Sequence, residues 1–113
     1  MQTIVELPEY QRQSERLLTN AEHTALVNYL AAHPTAGDIM QGTGGIRKIR
    51  WAVTGRGKSG GARVVYYYHN QVMPLFLLTA FGKGTKDNLT KAERNELAKF
   101  TEYLIQQYGG RHE

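Results

Sequence analysis

IRKIRWAV at residues 46–53, followed by ARVVYYYH at residues 62–69, decides the fold. In the first stretch Ile49, Trp51 and Val53 point one way and Lys48, Arg50 and Ala52 the other, which is the two-residue period of a strand with one basic face. The second stretch is rich in β-branched and aromatic residues, and Asn70-Gln71 leads from it into a third apolar run, Val72 to Phe81. A glycine-rich connection, Thr54 to Gly61, joins the first two. Three strands meandering in sequence are expected.

The segments on either side read as one more strand and three helices. Thr3-Ile4-Val5-Glu6-Leu7 is a short apolar run, and the Pro8 after it suits the first turn of a helix. Thr19-Asn20-Ala21-Glu22 has the capping-box pattern and opens an amphipathic helix with Ala25, Leu26, Tyr29 and Leu30 on one face, stopped by Pro34. Gly37 to Gly45 reads as a glycine-punctuated loop. A second capping box, Thr90-Lys91-Ala92-Glu93, starts a helix with Leu97, Phe100, Leu104 and Tyr108 at helical spacing, ended by Gly109-Gly110. The expected order is β-α-α-β-β-β-α: an α+β domain spanning 1–113, with a small antiparallel sheet flanked by helices.

At 113 residues and 41% hydrophobic, the chain has the apolar content one domain needs for a modest core. It has no cysteine and no apolar run approaching the roughly 20 residues of a membrane span, so a cytoplasmic protein with no membrane partner is expected. Charge is unevenly spread. Between Ile39 and Lys86 lie eight basic residues and no Asp or Glu, giving +8 there against −4 in the remainder. Such a segment attracts a polyanion.

Gly55-Arg56-Gly57-Lys58-Ser59-Gly60 fits G-x-G-x-x-G, a pattern that works by presenting a phosphate to a helix N-terminus. Here the chain runs instead into the strand at Ala62, so the segment reads as a hairpin tip whose Arg56 and Lys58 reach an RNA backbone. The histidines at 23, 33, 69 and 112 show no ligand spacing, and the basic segment offers no carboxylate. Neither a metal nor any other cofactor is expected.

Three stretches carry a family resemblance: Gly42-Thr43-Gly44-Gly45-Ile46-Arg47-Lys48-Ile49-Arg50, then Gly60-Gly61-Ala62-Arg63-Val64-Val65-Tyr66-Tyr67, then Phe81-Gly82-Lys83. Together they resemble the core of RelE/HigB toxins of type II toxin–antitoxin systems, closest to the second HigB subgroup. The resemblance implies a RelE-like fold whose basic face cleaves mRNA in the ribosomal A site. Lys48 and Arg50 match the family's lysine pair, and Arg63 matches the arginine at the scissile phosphate. Lys83 and Lys86 fall in the region of its later basic cluster. The implied catalytic set is Lys48, Arg50, Arg63 and Lys83, and the implied chemistry is metal-independent. A ribose 2′-hydroxyl attacks the adjacent phosphate while fixed cations hold the developing charge. Arg47, Arg56, Lys58, Tyr67, His69 and Lys86 are the expected RNA contacts, with Tyr67 stacking on a base from the face it shares with Arg63.

Two departures from the family stand out. Where the second lysine serves as general base, this chain has Arg50, a side chain whose charge is effectively permanent. The family's C-terminal catalytic tyrosine has no clear counterpart, because the chain after Lys86 goes straight into a capped helix. Candidate bases are Lys48, set among like charges, and His69, a residue type that titrates near neutrality. The resemblance also implies an antitoxin partner, HigA-like and DNA-binding; an acidic or helical segment of it would neutralise the Arg47 to Arg63 face, and plugging that face and blocking ribosome entry both stay open. Two other classes stay open: a basic RNA- or DNA-binding module without catalysis, and a degenerate toxin acting only through antitoxin binding.

Overall fold

The computed structural model describes residues 1–52, 61–82 and 89–108. Among them the order is β1 (Ile4–Glu6), α1 (Pro8–Leu17), α2 (Asn20–Ala32), β2 (Asp38–Ile39), β3 (Ile46–Trp51), β4 (Ala62–Tyr67), β5 (Leu75–Gly82) and α3 (Lys91–Tyr108). The strands form one five-stranded sheet in the order β1-β5-β4-β3-β2. The α+β class and the expected order of elements hold, with three local differences.

The first is that the sheet is mixed: β1 runs parallel to β5, while the other neighbours are antiparallel. Once β3, β4 and β5 form their meander, the edge of β5 away from β4 is open, and β1 occupies it. Leu75 N–H donates to the Thr3 carbonyl and Leu7 N–H to the Leu77 carbonyl, extending that ladder at both ends. The second is β2, two residues inside the segment read as loop, which pairs Asp38 with Lys48 and Ile39 with Arg47. Two residues carry no periodicity, so only their position beside β3 makes them a strand. The third is that β4 ends at Tyr67, leaving His69 beyond the ladder.

Both faces of the sheet are covered. Tyr10, Leu17, Leu26 and Leu30 from α1 and α2 pack on Val64, Tyr66, Leu75 and Leu77. On the opposite face Leu104, with Leu97 and Phe100, packs on Ile46, Val65, Tyr67 and Phe76. Every residue of β4 is buried, so it is the wall between two cores. In β5, Val65 pairs with Thr79 but Tyr66 with Leu77, which makes Leu78 an extra, bulged residue. The bulge shifts the alternation so that Phe76, Leu78 and Phe81 all reach the α3 side.

The helix boundaries follow local sequence. α1 starts at proline without a side-chain cap, whereas α2 and α3 start with complete capping boxes. Glu22 N–H donates to Thr19 Oγ1 at 3.1 Å, and Thr19 N–H to the Glu22 carboxylate at 2.8 Å. Thr90 and Glu93 repeat both distances. The apolar face of α2 is rotated from the expected one: Leu26, Leu30 and Ala31 are buried, while Ala25 and Tyr29 are exposed. Tyr29 instead lies against Trp51 and His33, at ring separations of 5.6 and 4.8 Å.

Because each cap satisfies two otherwise orphan N–H groups, Thr19→Ala and Thr90→Ala should each lower the unfolding free energy by about 1 kcal/mol. Serine at either position should preserve most of it. Urea denaturation of the four variants checks both.

Candidate nucleic-acid interface

The register of β3 with β4 brings the basic residues together. Arg50 stands directly opposite Arg63, Lys48 opposite Val65, and Ile46 opposite Tyr67. Residues paired across a ladder share a face, so Lys48, Arg50 and Arg63 project to the α3 side. The next strand continues these rows, with Phe81 beside Arg63 and Thr79 beside Val65. One face therefore grades from an apolar row, Ile46, Tyr67 and Phe76, through Lys48, Val65 and Thr79, to the two arginines.

The two arginines differ in environment. Arg50 is exposed and makes no hydrogen bond or ion pair among the described residues. Arg63 is only 6% exposed, and its Nη1 donates to the Gly61 carbonyl at 3.1 Å. Arg63 is set into the surface with its guanidinium oriented by the backbone two residues earlier. A Cβ on Gly61 would meet the Trp51 carbonyl oxygen at 2.8 Å, so the close approach of the two chains here requires glycine. Lys48 lies one diagonal step from Arg63, roughly 7–8 Å between backbones by ladder geometry.

Several expected contacts fall elsewhere. Arg47 alternates to the opposite face, where its Nη1 donates to the carbonyls of Thr35 and Gly37 at 3.2 and 2.8 Å. Next to it, Tyr66 accepts from Gly37 N–H and donates to the Pro34 carbonyl, so the pair fastens the turn after α2. Arg47 is a structural residue. Tyr67 does share the face of Arg63, but it is 1% exposed inside the α3 core and has no open ring face for a base. Its hydroxyl meets His69 Nδ1 at 3.1 Å. His69 lies two residues past the end of β4, beyond the end of that strand opposite to Arg63. Arg56, Lys58, Lys83 and Lys86 lie outside the described residues.

Two residues were missed in the sequence. Thr79 joins the Lys48 row only because the Leu78 bulge shifts the phase of β5. Asp38, one residue outside the acid-free segment, is brought by β2 into register with Lys48 and sets an acidic edge to the basic face. Among the described residues, no three His, Cys, Asp or Glu side chains converge as a metal site.

Residues 11–109 match the family described as the RelE toxin of the RelE/RelB toxin–antitoxin system. The chain belongs to the RelE toxin family. The match runs from α1 through α3 and includes Lys48, Arg50 and Arg63. The family gives this RelE member a toxin role and an antitoxin partner. No described helix of the toxin is long and apolar enough to cross a membrane.

Burial fixes the protonation of the toxin's inner tyrosines. Desolvation raises the hydroxyl pKa of Tyr10, Tyr66 and Tyr67, in Tyr66 against the opposing hydrogen bond from Gly37. The folded state therefore holds these protons more tightly than the unfolded chain. This stability should be fully present below pH about 10, the unfolded value, and be lost as pH rises toward the higher folded values. Phenolate absorbance from these three should appear together with loss of far-ultraviolet circular dichroism. Their ionisation in a still-folded chain would show the sites to be open to water.

Proposed function

We propose that this RelE-family toxin is an mRNA interferase, cutting ribosome-bound mRNA by metal-independent attack of a ribose 2′-hydroxyl on the adjacent phosphate. The observation that carries the reading is the cross-strand pair Arg50–Arg63. Like charges directly opposite on a ladder destabilise the sheet, and one of these two has no described partner. A bound phosphate relieves the repulsion and supplies the missing counter-charge.

The chemistry then follows from positions. The 2′-oxygen bonds to phosphorus, the bond from phosphorus to the 5′-oxygen breaks, and the leaving oxygen takes up a proton. The Arg63 guanidinium, already aimed by Gly61, can hold two non-bridging oxygens as negative charge develops on them. Arg50 binds the same phosphate from the neighbouring strand. Lys48, on their face, is the group placed to take the 2′-hydroxyl proton when its amine is neutral. Cutting within the ribosome supplies positioning of the mRNA that a shallow sheet face does not. The partner in this reading is a HigA-like, DNA-binding antitoxin.

Arg50 in the base position and Asp38 beside Lys48 favour a second reading, a degenerate toxin that does not cleave and acts only through antitoxin binding. The deciding experiment adds the purified chain to a defined translation reaction, maps mRNA ends by primer extension, and runs naked RNA alongside. Cuts at A-site codons on translating ribosomes alone support the interferase, and binding without cuts supports the degenerate toxin.

Arg50→Gln separates chemistry from fold. It should reduce cleavage by about 100-fold, while thermal stability stays level or rises because the repulsion across the ladder is gone. For the inset Arg63, alanine also removes packing, so Arg63→Lys is the informative variant. It keeps charge and bulk, loses the two-point contact, and should lose most activity with an unchanged melting temperature. Restoration of full activity by lysine would make Arg63 a simple point charge.

A further inference from the structure

The two sides of α3 face different neighbours. Glu93, Glu96 and Phe100 line an open groove of about 790 Å³ beside α1 and the end of β1. On the other side Thr101 is buried, and a Cβ on Gly44, in the turn before β3, would meet its Oγ1 at 3.1 Å. That side of the helix therefore faces β3. Arg94 precedes Thr101 by seven residues, which leaves the two only about 20° apart around the axis. The Arg94 side chain thus leaves α3 toward β3 as well. The ends of α3 fix its level. Leu89, just before the helix, shares the groove with Phe81, whereas Tyr108 at the far end lies 5.2 Å from Phe76. Phe81 pairs with Arg63 and Phe76 with Tyr67, so α3 starts over the Arg63 end of β4. Seven residues back from Thr101 is about 10 Å along the helix, away from Gly44 and toward the level of Lys48 and Arg50.

Arg94 is half-buried, yet its guanidinium makes no hydrogen bond or ion pair among the described residues; only its backbone N–H is bonded, to the Thr90 carbonyl. The neighbouring acids of the helix are turned elsewhere. Glu93 closes the capping box with Thr90, and Glu96 lies on the groove side. A long basic side chain can lay its stem on apolar surface and keep its charge in water. Here the charge is directed instead at a surface that already holds Lys48, Arg50 and Arg63. A fourth cation adds repulsion there unless a polyanion is bound. Lys99, five residues further on and exposed, points about 140° away and takes no part in this surface.

We propose that Arg94 is a phosphate anchor for single-stranded RNA: from α3 it holds the phosphate next to the scissile one, while Arg50 and Arg63 hold the scissile phosphate itself. The inference rests on the proposed RNA-cleaving reading of the sheet face. Phosphates recur at every nucleotide, so a strand crossing the sheet offers a second one to the helix beside it. That contact is the same before and during bond breaking. It adds affinity and fixes the register of the strand, but it does not stabilise the charge that develops on the scissile phosphate. Arg94 is therefore a positioning residue, and its loss affects KM and leaves kcat.

The test measures binding of the full chain to a mixed-sequence RNA of about ten nucleotides with 2′-O-methyl riboses, which cannot be cut, over a series of salt concentrations. Arg94→Gln should reduce the slope of log affinity against log salt by about 0.7, and weaken binding about fivefold near 0.1 M salt, as expected for one lost phosphate contact on a single strand. Arg94→Lys should keep most of the slope, and both variants should melt with the parent. Lys99→Gln removes the same charge from the solvent side of α3 and should leave the slope nearly unchanged. In the translation reaction Arg94→Gln should raise KM for programmed ribosomes several-fold at constant kcat, whereas Arg50→Gln lowers kcat. An unchanged salt slope, an equal loss from Lys99→Gln, a fall in kcat in place of the rise in KM, or no binding of the RNA by the parent at the lowest salt would overturn the proposal. The salt slope is read without cleavage, so failure of the interferase reading and failure of the anchor are distinguished.

Discussion

Burial of β4 on both faces governs the rest of the molecule. Its even-numbered residues, Val64 and Tyr66, belong to the core under α1 and α2, and its odd-numbered ones, Val65 and Tyr67, to the core under α3. A slip of one residue would exchange the two sets and drive Arg63 into the wrong core, so both cores together hold the register. That register places Arg63 across from Arg50. The candidate chemistry is therefore a by-product of packing: two hydrophobic layers hold two like charges side by side, which neither would choose alone.

The same strand pairing sorts the other basic residues by role. Arg47 and Lys48 are adjacent in sequence and similar in charge, yet they serve opposite faces. Arg47 is consumed by the carbonyls of Thr35 and Gly37 and fastens a turn, while Lys48 stands on the face of the arginine row. Tyr66 and Tyr67 divide in the same way, one tied to Pro34 and Gly37 and the other sealed in the α3 core. Proximity in sequence within a strand is thus a poor guide to shared function, and pairing across the ladder is a good one.

α3 separates two surfaces. On one side of it the sheet presents cations, and on the other the β1–β5 edge and α1 enclose an apolar groove with acidic margins. The charge asymmetry of the sequence, basic in the middle and acidic at its ends, becomes a spatial one because β1 and α1 lie across the groove from α3.

Much of this was legible in the sequence where the physics is local. Both capping boxes needed only a threonine and a glutamate three residues apart, and the alternation of Ile46 to Trp51 needed only the pleat of one strand. The resemblance to RelE/HigB toxins and the basic face were both read from the same contiguous stretches. What the sequence left open depends on contacts between distant residues. The Leu78 bulge, the parallel docking of β1, the two-residue β2 that brings Asp38 to Lys48, and the inset position of Arg63 are each fixed by neighbours far along the chain. Tyr67 and His69 show the limit most plainly. Their residue types suit stacking and proton transfer, but the fold encloses one ring and carries the other to the far end of the strand, because core packing and strand length, not side-chain chemistry, decide where a residue comes to rest.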